Sequence, residues 1–379
     1  MQRLRTLIAV AGVLTVAAGP ALATTWNVNP GDSIQAAVNA AGTGDTIYIS
    51  AGTYTEQVSL TPSKSLTITG EGRDVVTWNA PAGGACLAGS MQGYTGAMSY
   101  DISGFTFDVR GDAAATWGAG IQLIRASSGP LSLAIHDNRF VEDRASGDSD
   151  HWGTSMFLCH NRYAERDAMG NGAVQVYNNI DTTWGGMTMS NSQAYDIFAN
   201  VFDGCSDAIY NGHGCPDQAG QTFGDHHIYG NVFTNASDSL HPGYRTPAID
   251  WQYYGAGGAT HLPSLIELNQ FESNDTAIRF GEYTDMTYPD HLVTANNFSG
   301  NGMAVMVVGD YPSTLNAQGN WWGDPSGPGP VGPGIGDPIT TYVDYGNFAT
   351  APIPEPVTLA GLVLGVGSLV GYVRRRRAA

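Results

Sequence analysis

Residues 197–202 read IFANVF and residues 228–233 read IYGNVF. Both copies consist of an aliphatic residue, two further residues, an asparagine, one further residue and an aromatic residue. Other copies begin at residues 135 (IHDNRF), 176 (VYNNID, degenerate), 266 (IELNQF), 293 (VTANNF) and 316 (NAQGNWWG). Successive asparagines are 21 to 41 residues apart. The repeat unit is therefore about 21 to 27 residues, with loops inserted in the longer steps.

A unit of this length is too short for a propeller blade, and it lacks leucine-rich-repeat spacing. Short β-branched and aromatic runs interrupted by asparagine and glycine match one coil of a parallel β-solenoid. Aliphatic and aromatic residues two positions apart point to the same face of a strand, so they would fill the interior. The sequence therefore predicts an all-β solenoid.

The repeated asparagine is predicted to stack on the asparagine of the next coil. Asparagine tolerates the left-handed conformation that a bend between two sheets requires, and its amide can bond to the same residue one coil away. A column of this kind would satisfy polar groups that are otherwise buried and unpaired. The alternative is that these asparagines contact a ligand.

Both flanks of the repeat indicate caps, which a solenoid needs over its open ends. Asp32 or Ser33 can cap a short N-terminal helix, and the apolar residues that follow share one helical face: Ile34, Ala37, Val38 and Ala41. At the other end, the glycines and prolines of NWWGDPSGPGPVGPG (320–334) prevent regular strands from continuing.

Residues 1–23 are predicted to be a secretory signal peptide. Arg3 and Arg5 precede an apolar stretch over 7–18, and the small-residue site ALA follows at 21–23. An N-terminal membrane anchor is the alternative, but the apolar stretch is shorter than the roughly 20 residues that a span needs. The chain is therefore predicted to be exported.

The C-terminal segment 353–379 has three parts. The first is the triplet Pro354, Glu355 and Pro356, and the second is an apolar run over 357–373. The third is the arginine cluster Arg374, Arg375, Arg376 and Arg377. This segment resembles the PEP-CTERM sorting signal of exported proteins. The resemblance implies an exosortase as partner, transient membrane anchoring through the apolar helix, and removal of the tail. An ordinary single-pass membrane anchor is the alternative, in which the arginines stay on the cytoplasmic side of the membrane.

The charge of the chain argues against a nucleic-acid partner. The sequence has 16 basic and 34 acidic residues, a net charge of −18, and six of its arginines lie in the two terminal segments. Such a surface repels polyanions unless a divalent cation bridges them. The four cysteines would enter an oxidising compartment, where three disulfide pairings are open and Cys205 with Cys215 is the nearest pair in sequence.

Residues 33–54, the asparagine repeat and the closing NWWGDPSGP (320–328) together resemble the right-handed parallel β-helix superfamily, also called pectin lyase-like. The resemblance covers residues 26–350 and implies one β-helix domain over 24–350, with a short N-terminal capping helix. Because this superfamily includes lyases, hydrolases, esterases, epimerases and non-catalytic proteins, it selects no reaction.

Alignment of the coils on their aromatic residue brings three aspartates to equivalent positions before a strand, and a histidine and an arginine follow them. The predicted catalytic residues are Asp207, Asp238, Asp275, His241 and Arg279. Carboxyl groups stacked about 4.7–4.9 Å apart would not all ionise, so one could act as an acid. Glycosidases use two carboxyl groups about 5–9.5 Å apart. The alternatives are turn-capping aspartates and a Ca²⁺ site, because Ca²⁺ prefers carboxylate oxygens.

Two long insertions, 141–171 and 243–261, are predicted to line a groove, as loops on a rigid scaffold often do. Together with the ends of neighbouring coils they supply the predicted substrate-binding residues His213, Arg245, Trp152 and Trp251. The alternative for the aromatic residues is that they pack the loops onto the solenoid. No lysine-rich groove is present, because Lys64 is the only lysine.

These observations predict an exported, surface-sorted β-helix that binds or processes extracellular polysaccharide, as a glycoside hydrolase or a lyase. The rival hypothesis is a non-catalytic structural, matrix or adhesion protein of the cell surface. The enzyme hypothesis requires the acidic and basic side chains to converge in one place. The rival hypothesis requires them to be separated, or consumed by turn hydrogen bonds.

Overall fold

The chain winds into a right-handed parallel β-helix with three long sheets. In this computed structural model the described residues are 22–61, 63–81, 83–90, 94, 96–109, 118–125, 131–142, 153–160, 169–189, 194–211, 222–237, 247–252, 260–281, 290–308 and 314–354. Each full coil contributes one strand to each sheet, and all pairings between neighbouring coils are parallel. The predicted all-β solenoid is confirmed.

Sheet A has 12 strands. In chain order they are Thr25–Val28, Thr46–Ile49, Leu66–Gly70, Met98–Ser103, Leu131–His136, Val174–Tyr177, Tyr195–Phe198, His227–Tyr229, Leu265–Glu267, Leu292–Thr294, Leu315–Asn316 and Val343–Asp344. Sheet B has nine strands: Gly52–Thr55, Val76–Asn79, Thr106–Val109, Arg139–Glu142, Ile180–Asp181, Val201–Asp203, Val232–Thr234, Gln270–Glu272 and Asn297–Ser299.

Sheet C also has nine strands: Val58–Leu60, Ala85–Ser90, Gly118–Arg125, Gly153–His160, Met187–Met189, Ile209–Asn211, Pro247–Gln252, Thr276–Gly281 and Val305–Val308. Two small pairs lie outside the three sheets: Thr222–Gly224 with Thr260–Leu262, and Pro328–Gly329 with Gly336–Pro338. Each long insertion of the sequence contains a strand of sheet C where a loop is predicted: Gly153–His160 lies within 141–171, and Pro247–Gln252 lies within 243–261.

The interior is filled by stacked side chains, one from each coil. On sheet B, the rings of Phe202, Phe233, Phe271 and Phe298 lie nearly parallel, with centroids 4.8–5.1 Å apart. Trp322 continues the stack beyond Phe298. These are the aromatic residues of the repeat, and the coil spacing of about 4.8 Å is also a good ring-stacking distance.

The predicted asparagine column is confirmed over seven coils. From Asn179 onwards each asparagine accepts at Oδ1 from the backbone N–H of the preceding asparagine, at 2.8–3.0 Å, whereas the first, Asn138, accepts from the Phe105 N–H at 3.1 Å. Each Nδ2 donates to a carbonyl of an earlier coil. The members are Asn138, Asn179, Asn200, Asn231, Asn269, Asn296 and Asn320. All are 0–2% exposed, so this asparagine ladder forms part of the core and does not contact a ligand.

The bend beside the asparagine ladder differs from the prediction. The left-handed residue is the one that precedes each asparagine, with φ between 53° and 78° at Asp137, Asn178, Ala199, Gly230, Leu268, Ala295 and Gly319. The asparagine itself is therefore free to turn its amide inward. Left-handed backbone at the preceding position redirects the chain from sheet A to sheet B.

The N-terminal cap is confirmed as the helix Ile34–Ala40. Ser33 is its N-cap and accepts from the Ala36 N–H, while the Glu56 carboxylate accepts from the Ile34 N–H at 2.6 Å. Ile34 and Val38 are fully buried against the first coils. The helix thus covers the open end of the solenoid, as the sequence predicts.

The folded part of the chain extends almost to the Pro-Glu-Pro triplet. Ile353 exchanges two backbone–side-chain hydrogen bonds of 2.7 Å with Asn297. Residues 1–21 and 355–379, which hold most of the predicted signal peptide and sorting signal, lie outside the described residues. Within the described ranges, no helix has the length and apolar character needed to cross a membrane.

Candidate functional site

Polar side chains occupy the outer face of sheet C on three neighbouring coils. Tyr210 pairs with Asp250, and Asp250 pairs with Arg279 in the strand register. Their neighbours Ile209, Ile249 and Ile278 point into the core. Because side chains alternate along a strand, the three polar side chains form one row on the outer face.

Asp250 and Arg279 form a buried ion pair in this row. The Arg279 Nη1 donates to Asp250 Oδ1 at 2.8 Å and to Oδ2 at 3.2 Å. The two side chains are only 2% and 4% exposed. Gln252 donates from Nε2 to Asp250 Oδ2 and accepts from the Tyr210 hydroxyl at 3.3 Å. This network holds the carboxylate in one orientation.

Asp207 lies in the turn that leads into the strand Ile209–Asn211. Its Oδ1 is buried and has no hydrogen-bond partner among the residues described. Burial raises the pKa of the Asp207 carboxyl well above its usual range, and the negative charge of Asp250 raises this pKa further. The Arg279 guanidinium acts in the opposite direction. Asp207 is therefore a carboxyl group that holds its proton to a higher pH than an ordinary aspartate does.

Arg279 contributes a second unsatisfied atom. Its Nη2 is buried and donates to no group in the described part of the chain, although Nη1 is engaged by Asp250. A buried donor and a buried acceptor without partners are rare in folded proteins. The described ranges hold other such atoms, but these two belong to groups whose charges act on one another, and this coupling marks the row as the candidate site.

Asp207 and Arg279 are thus the two predicted catalytic residues that the structure brings together. Asp275 is exposed in the turn that leads into the strand Thr276–Gly281, and it does not contribute to the pKa of Asp207. Its backbone N–H donates to the Ala236 carbonyl, as expected for a turn position. The other predicted residues, Asp238, His241, His213, Arg245 and Trp152, lie outside the described residues.

Trp251 does not bind substrate from the outer face, contrary to the prediction. It is 1% exposed and points into the core, where its ring lies 5.4–5.6 Å from the rings of His226 and His291. The segment 247–252 is a central strand of sheet C, although its place in a long insertion predicts a loop. Alternation places Ile249 and Trp251 inside and Asp250 outside.

Asp250 is the member of the candidate site that the sequence interpretation misses. The alignment of the coils pairs Leu240 with Ile209 and therefore His241 with Tyr210, whereas in the structure Ile249 pairs with Ile209 and Asp250 with Tyr210. A signal is present in the sequence: AIDWQ (248–252) alternates apolar and polar residues, and Pro242 interrupts the segment that the alignment uses.

Metal binding is an alternative role for the aspartates. Across the described ranges, no group of three or more histidine, cysteine, aspartate or glutamate side chains is placed to hold a metal ion. Asp250 is instead paired with a guanidinium. The Ca²⁺ alternative, which includes Asp238, stays a prediction.

Cys205 belongs to the nearest cysteine pair in sequence, and Cys215, the other member, lies outside the described residues, so this pairing stays a prediction. The Cys205 side chain is buried, and its thiol donates to the Asp181 carbonyl at 3.5 Å. The Cys86 thiol likewise donates to the Trp78 carbonyl at 3.2 Å. Both thiols are core groups in the solenoid.

The arrangement has the parts of an acid–base site. Asp207 can donate a proton, because its pKa is raised by burial and by a neighbouring charge. Asp250 is the complementary group, a carboxylate whose charge is fixed by Arg279 and whose orientation is fixed by Gln252. Two carboxyl groups in contrasting environments are the usual sign of divided acid and base roles.

No protein-family model and no curated protein matches the sequence. Among solved structures, the chain is similar to an alginate lyase from Paenibacillus sp. str. FPU-7, with 14% identity, a TM-score of 0.40, and coverage of 87% of this chain and 98% of that one. It is also similar to the pectate lyase Pel9A, with 13% identity, a TM-score of 0.41, and coverage of 86% and 78%. A mannuronic acid specific family 6 polysaccharide lyase from human gut microbiota matches at 12% identity, a TM-score of 0.32, and coverage of 75% and 67%.

Proposed function

We propose that this protein is an exported β-helix enzyme that cleaves glycosidic linkages in an extracellular polysaccharide. The observation that carries the proposal is the Asp207 carboxyl: buried, without a partner at Oδ1 among the described residues, with a raised pKa, and beside the Asp250–Arg279 pair on an outer sheet face. A protonated carboxyl and an ionised carboxylate are the two groups that glycoside hydrolysis needs.

In this proposal Asp207 protonates the oxygen of the leaving sugar. Asp250 is the ionised partner that activates water or stabilises the positive charge that develops on the sugar ring. The Nη2 of Arg279, which lacks an acceptor in the described part of the chain, can donate to a hydroxyl or carboxylate oxygen of the substrate. Trp152 and Arg245, which lie outside the described residues, stay predicted substrate-binding residues in this proposal.

Export and surface sorting belong to the same proposal. They rest on the signal-peptide pattern of residues 1–23 and on the three-part C-terminal segment 353–379. Partners are then the export machinery, an exosortase and the polysaccharide. The strongly acidic chain favours neutral glycans over polyanions.

The test is incubation of residues 24–354, which keep the contact between Ile353 and Asn297, with a panel of neutral and acidic glycans, with and without calcium. New reducing ends without unsaturated products support hydrolysis, whereas unsaturated products would show elimination. Asp207→Asn should reduce the rate by about 10²–10⁴-fold. Asp290→Asn is the matched control, because Asp290 is exposed and lies outside the site.

A non-catalytic surface protein is the second candidate, and one observation favours it. The Asp250–Arg279 pair is almost fully buried and already satisfies much of its own hydrogen bonding. Such a pair can serve the fold alone. This candidate would be favoured if the protein binds one glycan of the panel but produces neither new reducing ends nor unsaturated products from any of them.

A further inference from the structure

The aromatic column of sheet B is broken by one acidic residue. Strand pairing aligns Asp181 with Phe140 on one side and with Phe202 on the other. The remaining positions of this column are aromatic, namely Tyr54, Trp78, Phe107, Phe140, Phe202, Phe233, Phe271 and Phe298. Asp181 is 1% exposed, and burial raises the pKa of its carboxyl group, whereas the Ser155 and Cys205 side chains lie close enough to this group to lower the pKa. An aromatic residue here would continue the stack without burying a carboxyl group.

The carboxyl group of Asp181 shapes the turn that follows it. Its Oδ1 accepts from the Thr183 N–H at 2.9 Å and from the Thr183 hydroxyl at 2.8 Å. These two bonds bend the chain immediately after the strand Ile180–Asp181, which leads it from sheet B towards sheet C. The phenylalanines at the neighbouring positions of the column, Phe140 and Phe202, have no side-chain atom that could accept these bonds.

The same turn is the platform for the next coil, which carries Asp207. The Trp184 carbonyl accepts from the Ser206 N–H at 2.7 Å, and the Met187 N–H donates to the Ala208 carbonyl at 2.9 Å. The two residues that flank Asp207, Ser206 and Ala208, are therefore both hydrogen-bonded to this turn.

Gly186, in the same turn, packs against the backbone of Asp207 and Ala208 on the next coil. A Cβ atom at Gly186 would come within 2.6 Å of the Asp207 carbonyl oxygen, so the two backbones are in close contact. The Asp181 carbonyl also accepts from the Cys205 thiol of the same upper turn. The position of the Asp207 backbone is thus determined by the turn that Asp181 closes.

We infer that Asp181 is a positioning residue for Asp207: its carboxyl bends the Asp181–Met187 turn, and this turn sets where Asp207 sits on the outer face of sheet C. The inference rests on the proposed function for its catalytic meaning, but its geometric content is independent of any substrate. It explains why the aromatic column is interrupted on the coil directly below Asp207.

The experiment compares Asp181→Leu, which keeps the shape and removes the acceptor, with Asp181→Asn, which keeps the Oδ1 acceptor. Isotope-labelled aspartate in the full folded domain gives the Asp207 carboxyl titration by NMR, assigned by its loss in Asp207→Asn. Hydrogen exchange gives the protection of the Ser206 amide. In Asp181→Leu the Asp207 midpoint should move by about half a pH unit or more, and Ser206 exchange should rise about tenfold.

Asp181→Asn should leave both quantities near those of the unmodified protein. An unchanged Asp207 titration in a folded Asp181→Leu protein would overturn the inference. If Asp181→Leu does not fold, Thr183→Val removes the hydroxyl bond alone and should shift Ser206 exchange in the same direction; no shift would overturn the inference. Wild-type protein that cleaves no glycan, while Asp181→Leu shifts Asp207, would reject the proposed function and leave this inference standing.

Discussion

Asp207 and Asp250 are close in space and opposite in environment. Asp250 has a guanidinium and an amide as hydrogen-bond donors, whereas Asp207 has a buried oxygen without a donor in the described part of the chain. The same ion pair therefore does two things: it fixes one carboxylate as an anion, and its negative member helps to keep a proton on the other carboxyl. At the scale of single residues, a substitution at Asp207 and a substitution at Arg279 each have an expected effect on stability.

Replacing Asp207 with asparagine should stabilise the protein at neutral pH. The pKa of Asp207 is raised by burial and by Asp250, so wild-type stability is greatest below the ordinary aspartate pKa and declines as the pH rises towards the folded-state pKa. The amide of the variant does not titrate. We expect the melting temperature of Asp207→Asn to exceed that of wild type on the order of 2 °C at pH 7 and to converge with it near pH 4. A constant difference across this pH range would contradict the raised pKa.

Replacing Arg279 with methionine should destabilise the protein by about 3–5 kcal/mol, because it leaves the buried Asp250 without its counter-charge. The double variant Asp250→Asn with Arg279→Met should be more stable than Arg279→Met alone. Urea unfolding of both single variants and the double variant measures this coupling. Additive losses would show that the two side chains do not act as a pair.

At this scale the sequence predicted part of the site. Asp207 and Arg279 could be found because both follow the repeat at fixed offsets from its aromatic residue. Asp250 could not be aligned, because an insertion of variable length precedes it and two segments competed for the same strand. The register of a strand is decided by the segment that can bury more apolar surface, and Ile249 together with Trp251 has more apolar surface to bury than Leu240 has.

The elements that define this fold are columns that run across coils. The asparagine ladder was predictable because its members occur at one fixed place relative to two inward-facing residues of the same coil. What the sequence did not reveal is that the preceding residue adopts the left-handed conformation. Leu268 and Ala199 accept this conformation although neither favours it.

Removing one member of the ladder should be costly. Asn231→Leu would leave the Asn200 backbone N–H without its acceptor and would remove one of the acceptors of the Asn200 side-chain amide. We expect a loss of about 2–4 kcal/mol in the free energy of unfolding, because each buried unsatisfied group costs about 1–3 kcal/mol. Asn316→Ala, at an exposed asparagine, is the control and should cost less than about 0.5 kcal/mol. Equal losses would argue against the ladder.

The bend residues offer a stabilising change. Ala199 is exposed and has φ of 55°, so Ala199→Gly should relieve left-handed strain without loss of packing. We expect a gain of about 1 kcal/mol in thermal or chemical unfolding. Ala134→Gly, on an extended strand of sheet A, should instead be destabilising by about 0.5–1 kcal/mol. Destabilisation by both would show that the bend carries no strain.

At the scale of the whole molecule, the folded domain is closed at both ends. The helix Ile34–Ala40 covers the first coil, and the contact between Ile353 and Asn297 secures the last described turn before the Pro-Glu-Pro triplet. The fold class was predictable from the repeat alone, since one coil cannot bury its apolar face without neighbours. The terminal segments 1–21 and 355–379 lie outside the described residues, so the predictions for them rest on the sequence pattern.

Protein isolated from the native cell surface should begin after residue 23 and lack Arg374 to Arg377. Intact-mass measurement of the surface fraction tests both ends at once. Replacing Pro354 and Glu355 with alanine should leave the tail attached, because the sorting enzyme would no longer find its recognition sequence. A surface protein that keeps its arginines would instead indicate a permanent anchor.

The asparagine ladder also bears on how such a chain can change its length. Each rung presents the same donor and acceptor to the rung above and the rung below, so a whole coil can be gained or lost without disturbing the contacts at the splice. Removing the 21 residues from Ile180 to Asn200 would place Asn231 directly after Asn179 in the stack. Gene duplication or deletion in units of one coil therefore preserves the ladder, whereas a shift by a few residues destroys it.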